Sequence, residues 1–346
     1  MSTVLVTGGS GFVASHLIAQ LLDRGDLVHA TVRSLHNRSK VEPLERLGGA
    51  GSLHLFEADL LEPGSFDEAI AGCEIVYHVA SPFKFPENIS DGEAEMVRPA
   101  VDGVRNVLAS VDRTPSVSRV VLTSTVGAIY GDYIDVLEMD NQTLTEKYFN
   151  TTSTVENNPY HYSKVRAEQT AWEICGAQDR WDLIVICPSL VVGPSLSPTS
   201  ESGSLALLDE LMRGEFFYGA ANINFSTVDV REVAAAHIAA ATVPGASGRY
   251  IASHSRMNSL LEIARMIRPV HARPYVLPRF QLPNIPPTRW IAGRYGLTPE
   301  FIEKHVGIAF AVDNHRSIEE LGVSYRPIES TLQDHYRSWA TQRGRK

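Results

Sequence analysis

Residues 3–26, TVLVTGGSGFVASHLIAQLLDRGD, decide the fold. The stretch begins with an apolar run at residues 4–6, continues through a glycine turn, and then repeats apolar residues at helical spacing. Leu17 and Leu21 lie on one side of this helix, and Gly25 ends it. The segment therefore predicts a strand, a tight turn and a helix in direct succession.

Strand-like and helix-like segments alternate up to about residue 195. This alternation predicts right-handed crossovers and a parallel sheet covered on both faces. We expect an α/β fold with a Rossmann-type doubly wound parallel sheet over residues 1–195, to which segments near 225–242 return, and a smaller C-terminal substrate-binding lobe over residues 196–346. The strand-like segments are LVHATVRS (27–34), SLHLFEADL (52–60), EIVYHVAS (74–81), SRVVLTSTVG (118–127) and DLIVICPSLVVG (182–193).

Composition excludes several classes of partner. The 346 residues are 44% hydrophobic and carry a formal net charge of −9, which argues against nucleic acid or an anionic membrane as the partner. No run approaches the roughly 18 apolar residues that cross a bilayer, and we find no cluster of ligands at metal spacing. We therefore expect a cytoplasmic protein, without a metal, that acts on a small molecule.

The glycine turn has the spacing Gly8-x-x-Gly11-x-x-Ala14, a variant of the dinucleotide fingerprint. Glycines let backbone amides approach a pyrophosphate closely, and the N-terminus of the helix then faces the anion. The turn therefore predicts a pyrophosphate site made by Gly8, Ser10, Gly11, Phe12 and Val13.

Basic residues follow the second strand, in TVRSLHNRSK (31–40). A site for NAD usually has Asp or Glu here for the ribose 2′-hydroxyl, whereas Arg33, with Lys40 close behind, suits a 2′-phosphate. The sequence therefore predicts NADPH rather than NADH. At the ends of the next two strands we expect adenine contacts from Asp59 and Leu60, and a ribose and pyrophosphate surface of Val79, Ala80 and Ser81.

The segment NNPYHYSKVRAE (157–168) places a tyrosine and a lysine four residues apart, on one face of a helix. The preceding strand ends in hydroxyl residues at Ser124 and Thr125. A lysine charge near a phenol, beside a hydroxyl at a strand tip, is suited to proton transfer. The pattern predicts a catalytic group that contains Tyr160 and Lys164.

These motifs together resemble the extended branch of the short-chain dehydrogenase/reductase superfamily. The segments GFVASHL, ATVRS, PAVDGVRNVL, CPSLVVGP and STVDVREVAAAH are similar to the dihydroflavonol reductase and cinnamoyl-CoA reductase group, and YHYSKVRAEQTAWE is similar to its microbial carbonyl and methylglyoxal-type reductases. The resemblance implies NADPH-dependent reduction of an aldehyde or ketone by direct hydride transfer.

The resemblance also assigns roles to individual residues. It implies that Tyr160 is the general acid, that Lys164 holds the nicotinamide ribose and lowers the pKa of the tyrosine, and that Thr125 stands where the family has serine. Ser124 is the alternative hydroxyl if the register differs by one. His237 matches a family pattern and is interpreted as a packing residue. Further cofactor contacts are implied for Thr123, Ser124, Pro188, Ser189, Leu190, Val191 and Ser204.

Substrate identity stays open in the sequence. A Tyr-Cys-Tyr core of cinnamoyl-CoA reductases is here Tyr160-His161-Tyr162, and no patch for the phosphates of CoA is evident. Two alternatives remain: an NAD-dependent nucleotide-sugar epimerase or dehydratase of the same branch, and a dinucleotide-sensing protein without catalysis. The chain is expected to be a monomer or a homodimer. The candidate pocket residues are Phe83, Phe85, Tyr130, Phe217 and Tyr218.

Overall fold

The alternating pattern folds into a parallel sheet in the computed structural model, which describes residues 1–82, 84, 88–197, 202–283 and 298–343. The strands are β1 (Thr3–Val6), β2 (Leu27–Val32), β3 (Ser52–Glu57), β4 (Ile75–His78), β5 (Arg119–Thr123), β6 (Thr143–Leu144), β7 (Asp182–Pro188), β8 (Leu190–Val192), β9 (Asn224–Phe225), β10 (Thr227–Asp229), β11 (Gly248–Ala252), β12 (Asn258–Ser259) and β13 (Ala311–Val312).

The helices lie between these strands and after the last of them. They are α1 (Phe12–Asp23), α2 (Arg38–Glu45), α3 (Asp67–Ile70), α4 (Arg98–Arg113), α5 (Tyr133–Leu137), α6 (Pro159–Gly176), α7 (Gly203–Arg213), α8 (Val230–Thr242), α9 (Leu260–Ile267), α10 (Pro299–His305), α11 (His315–Glu319) and α12 (Ile328–Arg343). None of the helices in the described ranges is long and apolar enough to cross a membrane.

Seven strands form the central sheet in the order β3-β2-β1-β4-β5-β7-β11. Every neighbouring pair is parallel. The winding reverses between β1 and β4, and in such sheets the crevice outside the carboxyl ends at this switch point is the ligand site. The expected Rossmann-type doubly wound fold is confirmed. It predicts that a ligand binds beside the loops that follow β1 and β4.

The core is divided by the sheet into two layers. Successive residues of a strand point to opposite faces. Leu5 accordingly packs with the layer that contains α4, whereas Val4 and Val6 pack with the layer that contains α1 and α8. A third cluster, made mainly by α7, α9 and α12, forms the smaller C-terminal lobe.

Two details of the sheet differ from the sequence interpretation. The stretch 182–193, read as one strand, divides at Ser189: the Ser189 amide donates to Ala252 O at 3.1 Å, and the Leu190 amide donates to Ser226 O at 3.0 Å. The chain thus leaves the central sheet and begins β8, which pairs with β10. The seventh strand, β11, follows residue 195 and was not recognised, because GRYIA is short and has no alternation of its own.

Candidate active site

The glycine turn joins β1 to α1 at the switch point of the sheet. Gly8 has φ of +68°, and a Cβ added there would lie 3.0 Å from Cα of Ala80, in the loop after β4. Gly11 is the N-cap of α1 and supplies no side chain to cap it. The first amides of this helix are therefore available to an anion, in agreement with the expected pyrophosphate position.

A buried threonine fixes the two loops that border the crevice. The Thr7 hydroxyl oxygen accepts from the amides of Val79 and Ala80, each at 3.0 Å, so its single proton is donated to Nδ1 of His78, also at 3.0 Å. Burial, assisted by the charge of Lys164, lowers the pKa of His78 to about 3 and keeps the ring neutral. The sequence interpretation missed Thr7, although a threonine directly before the glycine turn was the available signal.

The basic residues after β2 differ in their surroundings. Arg38 is occupied by Glu45, with bonds of 3.1 Å and 2.6 Å between the guanidinium and the carboxylate. Arg33 is exposed and has no hydrogen-bond or ion-pair partner within the part of the chain that the structure describes. Lys40 lies in the first turn of α2. Arg33 is therefore the exposed guanidinium of this segment that is not already paired among the described residues.

The adenine side of the crevice lies after β3. One carboxylate oxygen of Asp59 accepts from the amide of Leu61 at 2.9 Å, and the main chain of Asp59 bonds to Ser65. The carbonyl of Leu60 accepts from Asn106 of α4 at 2.7 Å. These bonds hold the loop rigidly at the carboxyl edge of the sheet, where the adenine contacts were expected.

The tyrosine and the lysine lie on α6, whose start is set by the side chain of Asn158, an N-cap that accepts from His161 N at 3.0 Å. The Lys164 Nζ group donates to Ser81 Oγ at 3.3 Å and to the carbonyl of Thr123 at 3.2 Å. Helix α6 thus carries its lysine to the tips of β4 and β5, where the crevice opens.

Burial displaces the pKa values of both groups, in opposite directions. It raises the pKa of the Tyr160 phenol, and it lowers the pKa of Lys164 to about 8, although attraction to Glu168 opposes the fall. The resemblance implied that the charge of Lys164 lowers the pKa of the tyrosine. In the protein alone, desolvation of the phenol prevails.

The two adjacent hydroxyls after β5 have different environments. Ser124 is buried, and its Oγ donates to Glu168 Oε2 at 2.5 Å. Thr125 is half-buried; its Oγ1 accepts from Gly127 N at 3.2 Å and lies 3.5 Å from the carbonyl of Pro188. The Ser124 hydroxyl is therefore committed to the interior, whereas the hydroxyl of the half-buried Thr125 contacts only main-chain groups among the described residues.

The segment expected beside the nicotinamide is the break between β7 and β8. Ser189 is buried, and its hydroxyl has no hydrogen-bond partner among the described residues. A buried hydroxyl without a partner is costly, so a bound group that supplies one fits this place. Leu190 and Val191 are half-buried. Ser204, in the first turn of α7, lies 3.1 Å from the hydroxyl of Ser202.

Three of the five candidate pocket residues are described. Tyr130 is buried in an aromatic cluster, with its ring centroid 5.9 Å from that of Tyr133 and 5.6 Å from that of Phe310. Phe217 is exposed and packs edge-on against Tyr218 on the C-terminal lobe. Phe83 and Phe85 lie outside the described residues.

His237 is fully buried on α8, and it accepts from the Thr123 hydroxyl through Nε2 at 2.7 Å while Nδ1 donates to the carbonyl of Val233 at 2.7 Å. Burial lowers its pKa to about 4. A neutral ring with both nitrogens bonded inside the protein agrees with the packing role expected for it. The Thr123 hydroxyl is correspondingly turned toward α8.

A glycine turn at the switch point of a parallel sheet, with a tyrosine and a lysine beside a strand tip that carries hydroxyls, defines a dinucleotide-dependent enzyme fold of the extended short-chain dehydrogenase/reductase type. The chain belongs to the NAD dependent epimerase/dehydratase family, whose model matches residues 4–251.

Several similar proteins are reductases. The chain is 37% identical to cinnamoyl-CoA reductase CAD2 of Medicago truncatula, over 82% of this chain and 83% of that protein. It is 38% identical to a putative anthocyanidin reductase of Ginkgo biloba, over 72% and 75% of the two chains. Yeast methylglyoxal/isovaleraldehyde reductase Gre2, solved as a complex with NADPH, superposes with a TM-score of 0.77 at 26% identity, over 99% of this chain and all of that one. The resemblance seen in the sequence is confirmed.

Proposed function

We propose that the protein reduces the carbonyl group of an aldehyde or ketone to an alcohol, with NADPH as the hydride donor. The observation that carries this proposal is the position of Lys164, whose ammonium bridges the loop after β4 and the end of β5 on the same helical face as Tyr160. The similarity to reductases supports the oxidoreductase class, and the choice of a simple carbonyl substrate is our inference.

Features of the crevice fit NADPH. Gly8 has a positive φ and leaves no room for a Cβ beside Ala80, the N-terminus of α1 is uncapped, and the buried hydroxyl of Ser189 lacks a partner among the described residues. We propose that Arg33 and Lys40 bind the 2′-phosphate. The remaining contacts are proposed for Gly8, Ser10, Gly11, Phe12 and Val13 at the pyrophosphate, Asp59 and Leu60 at the adenine, and Val79, Ala80, Ser81, Thr123, the main chain of Ser124, Pro188, Ser189, Leu190, Val191 and Ser204 at the riboses and nicotinamide.

When bound, NADPH supplies the hydride that reaches the carbonyl carbon. Tyr160 then donates its phenolic proton to the carbonyl oxygen as negative charge develops there. A raised tyrosine pKa keeps this proton on the phenol at neutral pH. The hydroxyl of Thr125 donates a hydrogen bond to the same oxygen and stabilises its charge.

Lys164 has a second role in this scheme. With a pKa of about 8 it is mostly protonated at pH 7. Its positive charge favours the phenolate that remains after Tyr160 has given up its proton, because opposite charges attract strongly in a desolvated site. The same group donates a proton to the Tyr160 phenolate and regains one from solvent, which restores both residues for the next turnover.

An assay of NADPH oxidation tests the proposal. The purified protein is mixed with NADPH or NADH and a panel of aliphatic aldehydes, α-ketoesters and aryl ketones, and absorbance at the nicotinamide band is followed. We expect turnover with at least one class, with NADPH strongly preferred. Absence of turnover with every carbonyl, together with NAD retained through purification, would instead support the nucleotide-sugar epimerase alternative that the family name includes.

A further inference from the structure

A buried ionic cluster lies behind Lys164 and joins α6 to β5 and β11. Glu168 follows Lys164 by four residues, on the same helical face, and its side chain is fully buried. Arg249, from the sheet-edge strand β11, is also buried. Its Nε lies 2.7 Å from Glu168 Oε1, and its Nη2 donates to Oε2 at 3.3 Å. Trp172 completes the cluster, because its indole Nε1 donates a hydrogen bond to Glu168 Oε1 at 3.2 Å.

The cluster reaches the catalytic strand tip through Ser124. The Ser124 hydroxyl donates to Glu168 at 2.5 Å, and the next residue in the chain is Thr125. Arg249 also donates to the carbonyl of Ala128 at 3.3 Å, in the turn that follows Thr125. The carboxylate and its counter-ion therefore hold both sides of the segment that presents the Thr125 hydroxyl.

Glu168 also dominates the charges near Lys164. The two side chains line one small cavity with His78, Ser81, Thr123 and Ser124. Of the residues described around this cavity, Glu168 is the only acid. The other groups near the ammonium are the neutral imidazole of His78, the Ser81 hydroxyl, the Thr123 carbonyl, and the thiol of Cys187 on β7, which burial keeps protonated.

We propose that Glu168 is a positioning residue for carbonyl reduction: it fixes Ser124 and thereby Thr125, and it supplies the negative charge that faces the Lys164 ammonium. The inference rests on the proposed function and deepens it. A buried ion pair is a weak source of stability, since desolvation offsets most of its attraction. We therefore infer that the Glu168 carboxylate near Lys164 serves the reaction rather than the stability of the fold.

The direct test is the titration of Lys164 in the cofactor-free protein. The chain has six lysines, so a protein labelled with ¹³C at lysine Cε gives few signals, and Lys164→Arg assigns the one of interest. In Glu168→Gln we expect the pKa of Lys164 to fall by about one unit or more from the value in the unmodified protein. Glu173→Gln, an exposed change on the same helix, should leave the titration unchanged.

Kinetics test the other half of the inference. We expect Ser124→Ala to lower kcat about tenfold with the KM for NADPH unchanged, and the same variant should leave the Lys164 titration in place. Glu168→Asp keeps the charge but shortens the side chain, so it should behave like Ser124→Ala. If Glu168→Gln does not fold, the kinetics of Glu168→Asp and Ser124→Ala test the inference.

Two results would overturn the inference: a folded Glu168→Gln protein in which Lys164 titrates as before, or a Ser124→Ala protein with undiminished kcat. Failure of the proposed function is separate from both, because it is seen as an unmodified protein that reduces no carbonyl. The titration of Lys164 needs no substrate and is read independently of that outcome.

Discussion

Tyr160 and Lys164 show at the scale of single residues how burial prepares a site. The same desolvation that keeps the phenol protonated brings the lysine pKa down to about 8. Both pKa shifts favour the uncharged form of the group. Tyr160 therefore stays a neutral phenol, and Lys164 is a cation that can release its proton near neutral pH. This pairing suits the proposed reduction of a carbonyl group.

Tyr160→Phe removes the proton donor and little else. We expect kcat to fall by about 10² to 10⁴, because the alkoxide must then take its proton from water. Binding of NADPH, measured by fluorescence titration, should be unchanged. A variant that retains full turnover would remove Tyr160 from the mechanism.

Arg33→Ala tests the choice of cofactor. Loss of a charge-assisted bond of about 1.5–3 kcal/mol should raise the KM for NADPH by about 10- to 100-fold and leave the KM for NADH nearly unchanged. Arg38→Ala is the matched control, because that guanidinium is already paired with Glu45. Equal effects of the two changes would contradict the assignment of Arg33.

At the scale of elements, the turn between β1 and α1 depends on one backbone conformation. Gly8→Ala would force a side chain into a φ of +68° and against Ala80. We expect NADPH binding to weaken at least tenfold, since the strained turn must shift away from the pyrophosphate. Isothermal titration measures the affinity for NADPH. Gly72→Ala is the control, because its φ of +75° imposes the same backbone strain but nothing lies within 4 Å of an added Cβ. Equal losses in both variants would refute the argument.

The tip of β5 presents two hydroxyls, at Ser124 and Thr125, in different environments. Thr125→Ala should lower kcat by about 10² to 10³ if its hydroxyl stabilises the developing oxyanion, while Thr125→Ser keeps the hydroxyl and most of the activity. Steady-state kinetics of the pair provide the measurement. A Thr125→Ala enzyme with normal kcat would return the role to Ser124.

The elements that could be predicted from sequence are those with strong local patterns. Residues 3–26 gave strand, turn and helix because apolar periodicity and glycine spacing agree there. Tyr160 and Lys164 were found because their spacing is local to one helix. Glu168 shares that spacing but its partner, Arg249, lies on a short strand that becomes recognisable only through its pairing with β7. The division of residues 182–193 at Ser189 could not be predicted for the same reason. It is defined by hydrogen bonds to strands of two different sheets, which are distant in sequence.

At the scale of the whole molecule, the buried Lys164 reduces stability. Its pKa of about 8 in the folded chain lies below the unfolded value near 10.4. Below pH 8 both states hold the proton, and the cost of burying the ammonium is fully present. Between pH 8 and about 10.4 the unfolded chain binds more protons, so the free energy of unfolding rises with pH.

Lys164→Met should therefore stabilise the cofactor-free protein while it abolishes turnover. The gain at pH 7 is at most about 3 kcal/mol, because the change also removes the bonds to Ser81 and Thr123. The gain should shrink at pH 10. Urea unfolding at the two pH values measures it, and the exposed Lys147→Met is the control. Destabilisation of equal size at both pH values would contradict this account of the buried ammonium.

The central claim is direct hydride transfer to a carbonyl, and isotope transfer tests it most directly. NADPH carrying two deuterium atoms at C4 is incubated with the protein and an aldehyde or ketone from the active class, and the alcohol is examined by mass spectrometry and NMR. We predict one deuterium on the carbinol carbon, and little or no alcohol in the Tyr160→Phe blank. An alcohol formed by the unmodified protein without deuterium, or no alcohol at all from any carbonyl, would contradict the account.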